Sequence, residues 1–157
     1  MKILLVVTGK TSQDFVEKGL IEFSERIKHY LSFEMQVIPG IKQAKNRSFE
    51  QQKEKEGEAI LKYMQQGDYV VLLDECGKEY TSLEFANYLE KKMQTVPKCL
   101  VFVIGGAYGF SQKVYDAAHE KIALSKMTFS HQLIRLIFVE QLYRALTILH
   151  QEAYHHA

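Results

Sequence analysis

Cys99-Leu100-Val101-Phe102-Val103-Ile104-Gly105-Gly106 decides the fold. Six consecutive residues with no polar side chain are too short for a core helix. They read as a strand covered on both faces, the mark of a parallel sheet between helices. The glycines that end the run permit a close approach of backbone to a ligand. In such sheets ligands lie at the carboxyl ends of the strands. Outward from this point, Tyr69-Val70-Val71-Leu72-Leu73 repeats the pattern, and residues 2–8 read as a first strand.

Helical stretches fill the intervals. Val16, Leu20, Phe23, Ile27 and Tyr30 trace one face of a helix over residues 12–31. A second strand over 34–39 closes at Pro39-Gly40. A polar stretch from Ile41 to Glu58 then runs into a helix ending near Gln66-Gly67. Leu83 to Val96 reads as a helix capped by Thr81 or Ser82 and followed by Pro97. Ser111 to His119 is a short helix, Lys121 to Leu124 a short strand, and residues 130–150 a long final helix. The alternation predicts one α/β domain over 1–157, a mostly parallel sheet flanked by helices.

Composition bounds the function. The 157 residues carry 20 Lys plus Arg against 19 Asp plus Glu, which excludes a histone-like tail or an acidic solvating protein. It leaves room for a local basic patch, and Lys42, Lys45, Arg47, Lys53 and Lys55 are one candidate, although a solvated helix face is the commoner meaning of such a run. No run approaches the roughly 18 to 20 apolar residues of a membrane-spanning helix. The first strand is followed by no signal-cleavage site, so a cytoplasmic protein without membrane partners is expected. Cys76 and Cys99 are too few and too far apart for a zinc site or a disulfide framework, and no metal-ligand spacing is present.

Three strand-end loops carry the candidate chemistry. Gly105-Gly106-Ala107-Tyr108-Gly109 follows one strand, Asp74-Glu75-Cys76-Gly77-Lys78 a second, and Leu124-Ser125-Lys126-Met127-Thr128-Phe129-Ser130-His131 a third. Their convergence on one sheet edge would make a cleft. The acidic pair Asp74-Glu75 either binds a ribose or a base or merely ends its strand and pairs with Lys78. Gly9-Lys10-Thr11 is not a phosphate loop, because Leu4 stands where the motif needs its first glycine. The final helix is apolar around most of its circumference, which points to a partner subunit. On it, His131 and Arg135 share one face, and Glu140 and Arg144 read as an ion pair.

Phe102 to Gly109, Leu124 to Gln132, Glu140-Gln141-Leu142-Tyr143-Arg144-Ala145 and Tyr154-His155 together resemble the ribosomal large subunit methyltransferase H family. Length, strand order and the stretch Lys55-Glu56-Gly57 agree with it. The resemblance implies a SPOUT fold with a C-terminal trefoil knot, a homodimer, S-adenosylmethionine as cofactor, and no DNA substrate. It implies methylation of N3 of a pseudouridine in 23S rRNA of the assembled ribosome. The implied cofactor pocket takes in Leu73, Gly105, Leu124, Ser125, Lys126, Met127, Thr128 and Phe129. Residue chemistry nominates His131 or His155 as proton acceptor, Arg144 as electrostatic clamp and Tyr154 to stack on or orient the base. Two further readings stay open: a non-catalytic RNA-binding or ribosome-assembly factor of the same fold, and a SPOUT methyltransferase acting on tRNA.

Overall fold

The computed structural model describes residues 1–40 and 48–156. Strands β1 (Lys2–Thr8), β2 (Ser32–Ile38), β3 (Tyr69–Glu79), β4 (Cys99–Ile104) and β5 (Glu120–Ala123) form one sheet in the order β2-β1-β4-β3-β5. Every pairing is parallel. The helices are α1 (Asp14–Ile27), α2 (Phe49–Leu61), α3 (Ser82–Thr95), α4 (Gln112–Ala117) and α5 (Leu133–Leu149). The sheet alternates its side chains between two cores. Ile3, Leu5, Val7, Leu100, Phe102 and Ile104 face α1, α3 and α5; Val6, Leu72, Val101 and Val103 face α2 and α4.

Local chemistry sets the boundaries. Ser48 and Thr81 each open a helix with a reciprocal cap, the hydroxyl accepting the N–H of Gln51 or Glu84 while that residue's side chain accepts the cap's own N–H. Helix α2 ends at Leu61, short of the expected Gln66-Gly67. Its last turn tightens into Tyr63-to-Ile60 and Met64-to-Leu61 bonds, and the Asp68 carboxylate then accepts the Gln65 N–H.

The largest departure from expectation lies in β3, which extends through the acidic loop to Glu79. Leu73 and Lys78 both align with Ile122, so residues 74–77 are extruded as a four-residue bulge. Gly77 makes this possible: a Cβ there would lie 2.5 Å from the backbone nitrogen of Ile122. Asp74 Oδ1 accepts the Cys76 N–H at 2.8 Å, and its Oδ2 takes the Tyr115 hydroxyl. Lys78 pairs with neither acid; its ammonium lies 5.0 Å from the Tyr80 ring centre.

The segment after β5 leaves the sheet edge, crosses the carboxyl ends of β3 and β4, and returns α5 to the middle of one face, packed against α1 and α3. Sheet, α1 and α3 cover much of the helix's apolar circumference from within the chain, so its composition alone does not require a partner. No helix among the described residues is long and apolar enough to cross a membrane.

Candidate functional site

The three loops do converge. They enclose a cleft of about 610 Å³ at the carboxyl ends of β3, β4 and β5. Leu73, Ile104, Ile122, Leu124 and Phe129 supply apolar walls, and Gly105 and Gly106 supply a floor without side chains. A Cβ on Gly105 would stand 3.0 Å from the Phe110 ring, and one on Gly106 would stand 2.8 Å from Glu56 Oε2. Bare backbone beside apolar walls suits a flat heterocycle whose polar edge bonds to peptide groups.

Seven of the eight expected cofactor residues line this cleft: Leu73, Gly105, Leu124, Ser125, Met127, Thr128 and Phe129. Lys126 does not. The Ser125 hydroxyl accepts the Met127 N–H at 3.0 Å, a tight turn with Lys126 at its exposed corner. Across the mouth, Thr128 donates to Glu75 at 3.4 Å, and Lys53 reaches the lining from α2 while pairing with Glu50 at 3.1 Å. Lys42, Lys45 and Arg47 of the basic stretch lie outside the described residues.

His131 lines the cleft, where the chain enters α5. Its carbonyl accepts from Arg135 Nε at 3.1 Å. Arg135 is completely buried and meets no carboxylate. It donates instead to the carbonyls of Thr8 (2.7 Å) and Gly9 (2.8 Å) and to the Thr11 hydroxyl (3.0 Å). Burial holds its basicity below the ordinary value. The neighbouring Gln132 side chain accepts the Ser12 N–H at 2.9 Å and donates to the Lys10 carbonyl at 3.1 Å. Together these side chains pin the end of β1 to the wall of the cleft.

Arg144, Tyr154 and His155 are gathered elsewhere, around Glu140. Arg144 donates to Glu140 Oε1 through Nε (3.1 Å) and Nη2 (2.6 Å), and its Nη1 lies 3.1 Å from His155 Nδ1. The Tyr154 hydroxyl donates to the same carboxylate oxygen at 3.0 Å, and the guanidinium sits 4.7 Å from its ring centre. Burial, then the Glu140 bond, raises the Tyr154 phenol above its usual range. His131 and Arg144 stand thirteen positions apart along α5 and its approach. At 1.5 Å per residue that is about 20 Å, so one chain cannot bring both to the same atom.

Comparison with known proteins agrees with this geometry. The family model described as predicted SPOUT methyltransferase matches residues 1–155. The chain belongs to the SPOUT methyltransferase family. Its relatives include proteins named ribosomal RNA large subunit methyltransferase H. Those of Parabacteroides distasonis, Phocaeicola vulgatus and Bacteroides fragilis are 65%, 63% and 62% identical, each alignment spanning 99% of both chains. In this SPOUT methyltransferase, Lys53 of the basic stretch lines the cleft beside Tyr115, which no sequence motif marks, and Glu56 packs against Gly106. The sequence signal for Glu56 is Lys55-Glu56-Gly57, which agrees with the family without marking a role.

Proposed function

We propose that the chain methylates N3 of a pseudouridine in the 23S rRNA of the assembled ribosome, with S-adenosylmethionine as methyl donor, in the cytoplasm and as a homodimer. The observation that carries this reading is the glycine-floored cleft at the carboxyl ends of β3, β4 and β5, in a chain 65% identical to a protein named for rRNA methylation. The return of residues 124–132 from the sheet edge to α5 is where the trefoil knot belongs.

Leu73, Leu124, Met127 and Phe129 would grip the cofactor's heterocycle, and backbone groups at Gly105 and along 124–129 would bond its edge. When bound, S-adenosylmethionine supplies an electrophilic methyl carbon on a positively charged sulfur. His131, at the cleft wall, takes the proton that the base's N3 must lose before it can attack. Arg144 stabilises negative charge on the flanking carbonyl oxygens of the base, and Tyr154 and His155 orient its ring. Fixing N3 against the methyl group does much of the remaining work.

The helix length of about 20 Å between His131 and Arg144 supports a site built by two subunits, each giving one group to the other's cleft. Exposed Phe15 and Ile21 of α1 and Leu83 of α3 lie on the same layer as α5 and supply apolar surface for that contact.

The test is transfer of labelled methyl from S-adenosylmethionine to assembled ribosomes, with free subunits and tRNA alongside. Label confined to 23S rRNA of assembled ribosomes is expected. Label on tRNA moves the substrate, and cofactor binding without label anywhere identifies an assembly factor.

A further inference from the structure

Helix α2 runs beside the cleft. Lys53 lines the cleft itself, and one turn later Glu56 lies beneath Gly106 with 8% of its surface exposed. Among the described residues its Oε2 has no hydrogen-bond partner, and its Oε1 receives only a long contact, 3.4 Å, from Gln52. The adjoining hydroxyl of Ser111, which fills the space that a Cβ on Gly57 would need, is also unpartnered. Among the described residues, Glu56 is the one buried carboxylate.

The other acids at the cleft are accounted for. Asp74 spends its two oxygens on Cys76 and Tyr115, and exposed Glu75 takes Thr128. Among the described residues, the lysine and arginine nearby are committed as well: Lys53 pairs with Glu50, and Arg135 is surrounded by its four acceptors. Burial pushes the Glu56 carboxyl up, against the Gln52 bond and the field of His131. A carboxylate without a partner in such a place costs folding free energy, and natural proteins keep such groups where a ligand completes them.

Resting on the function proposed above, we propose that Glu56 is a counter-charge beneath the floor of the cleft that selects for a cationic ligand. The cation is the positive charge of S-adenosylmethionine, carried by its sulfonium or its ammonium. Gly106 lines the cleft and presents no side chain toward Oε2, which lies 2.8 Å from where its Cβ would stand. Glu56 is buried, and opposite charges attract more strongly at a buried site than through water. Glu56 is thus a specificity-determining residue that acts through space and touches no reacting atom.

Calorimetric titration of the wild-type protein, E56Q and E56D with three ligands tests this. S-adenosylmethionine carries both cations, S-adenosylhomocysteine lacks the sulfonium, and methylthioadenosine lacks both. E56Q should weaken S-adenosylmethionine about tenfold or more and leave methylthioadenosine within about twofold. Weakening of S-adenosylhomocysteine to the same degree assigns the ammonium; unchanged S-adenosylhomocysteine assigns the sulfonium; both support the proposal. E56D keeps the charge but withdraws it by one carbon, so it should show the same preference with a partial loss, and it serves if E56Q does not fold. Equal weakening of all three ligands, or none, overturns the counter-charge while leaving the cofactor reading intact. A wild-type protein that binds none of the three overturns both.

Discussion

Arg135 Nη1 lies 2.8 Å from the carbonyl oxygen of Gly9, so the last helix is fastened to the end of the first strand. The guanidinium serves four acceptors at once, three of them backbone carbonyls. Lysine cannot match that fork, and an apolar side chain leaves the carbonyls unpaired. R135M should therefore lower stability by about 3 kcal/mol, read as a shift in the urea midpoint. R135K should fall between R135M and wild type.

Gly77 faces backbone rather than side chain: its missing Cβ would stand 2.5 Å from Ile122 N and 2.6 Å from the Lys121 carbonyl carbon. Neither atom can move without displacing β5. G77A should destabilise the protein by about 2 kcal/mol or more and weaken ligand binding, because Ile122 and Leu124 line the cleft. Thermal melting with and without S-adenosylmethionine measures both effects.

The Arg144 cluster separates catalysis from folding. Its groups are partly exposed, so R144A and H155A should melt within a few degrees of wild type. If they act on the base, methyl transfer should drop at least about tenfold with cofactor affinity unchanged. Mixed dimers of H131A and R144A subunits provide the sharper readout. A shared site restores activity to one cleft in such a heterodimer, whereas each homodimer stays inactive.

Acid should loosen the β5 edge. Burial raises the Glu120 carboxyl, but the hydroxyls of Tyr88 and Tyr69 and the Lys92 ammonium outweigh it and leave the group below its ordinary 4.5. A depressed folded value means stability that is present above the unfolded value and lost as pH falls through the folded one. The urea midpoint of wild type should therefore drop more between about pH 6 and pH 3 than that of E120Q.

Much of this was legible in the sequence, for physical reasons. Doubly buried strands such as Val101–Ile104 must be apolar on both faces, and strand-end glycines mark where backbone approaches a ligand. The bulge at residues 74–77 was not legible. An Asp-Glu-Cys-Gly run reads as a loop, and only the partner strand shows that pairing resumes at Lys78. Lys126 illustrates a finer limit, since membership of a loop says nothing about which side chain its turn leaves outside. Spacing alone makes Arg135 a neighbour of His131, but its other acceptors lie more than a hundred positions away in the chain.

The walls of the cleft come from Lys53, Leu73, Gly105 and the segment Leu124 to Ile134, stretches dispersed over half the polypeptide. During synthesis, the final wall and the helix that fastens it emerge only after the other walls. A nascent chain can pair its first four strands and still hold nothing. Competence to bind therefore waits for residues 124–149, and ligand capture by chains truncated before and after them would time that step.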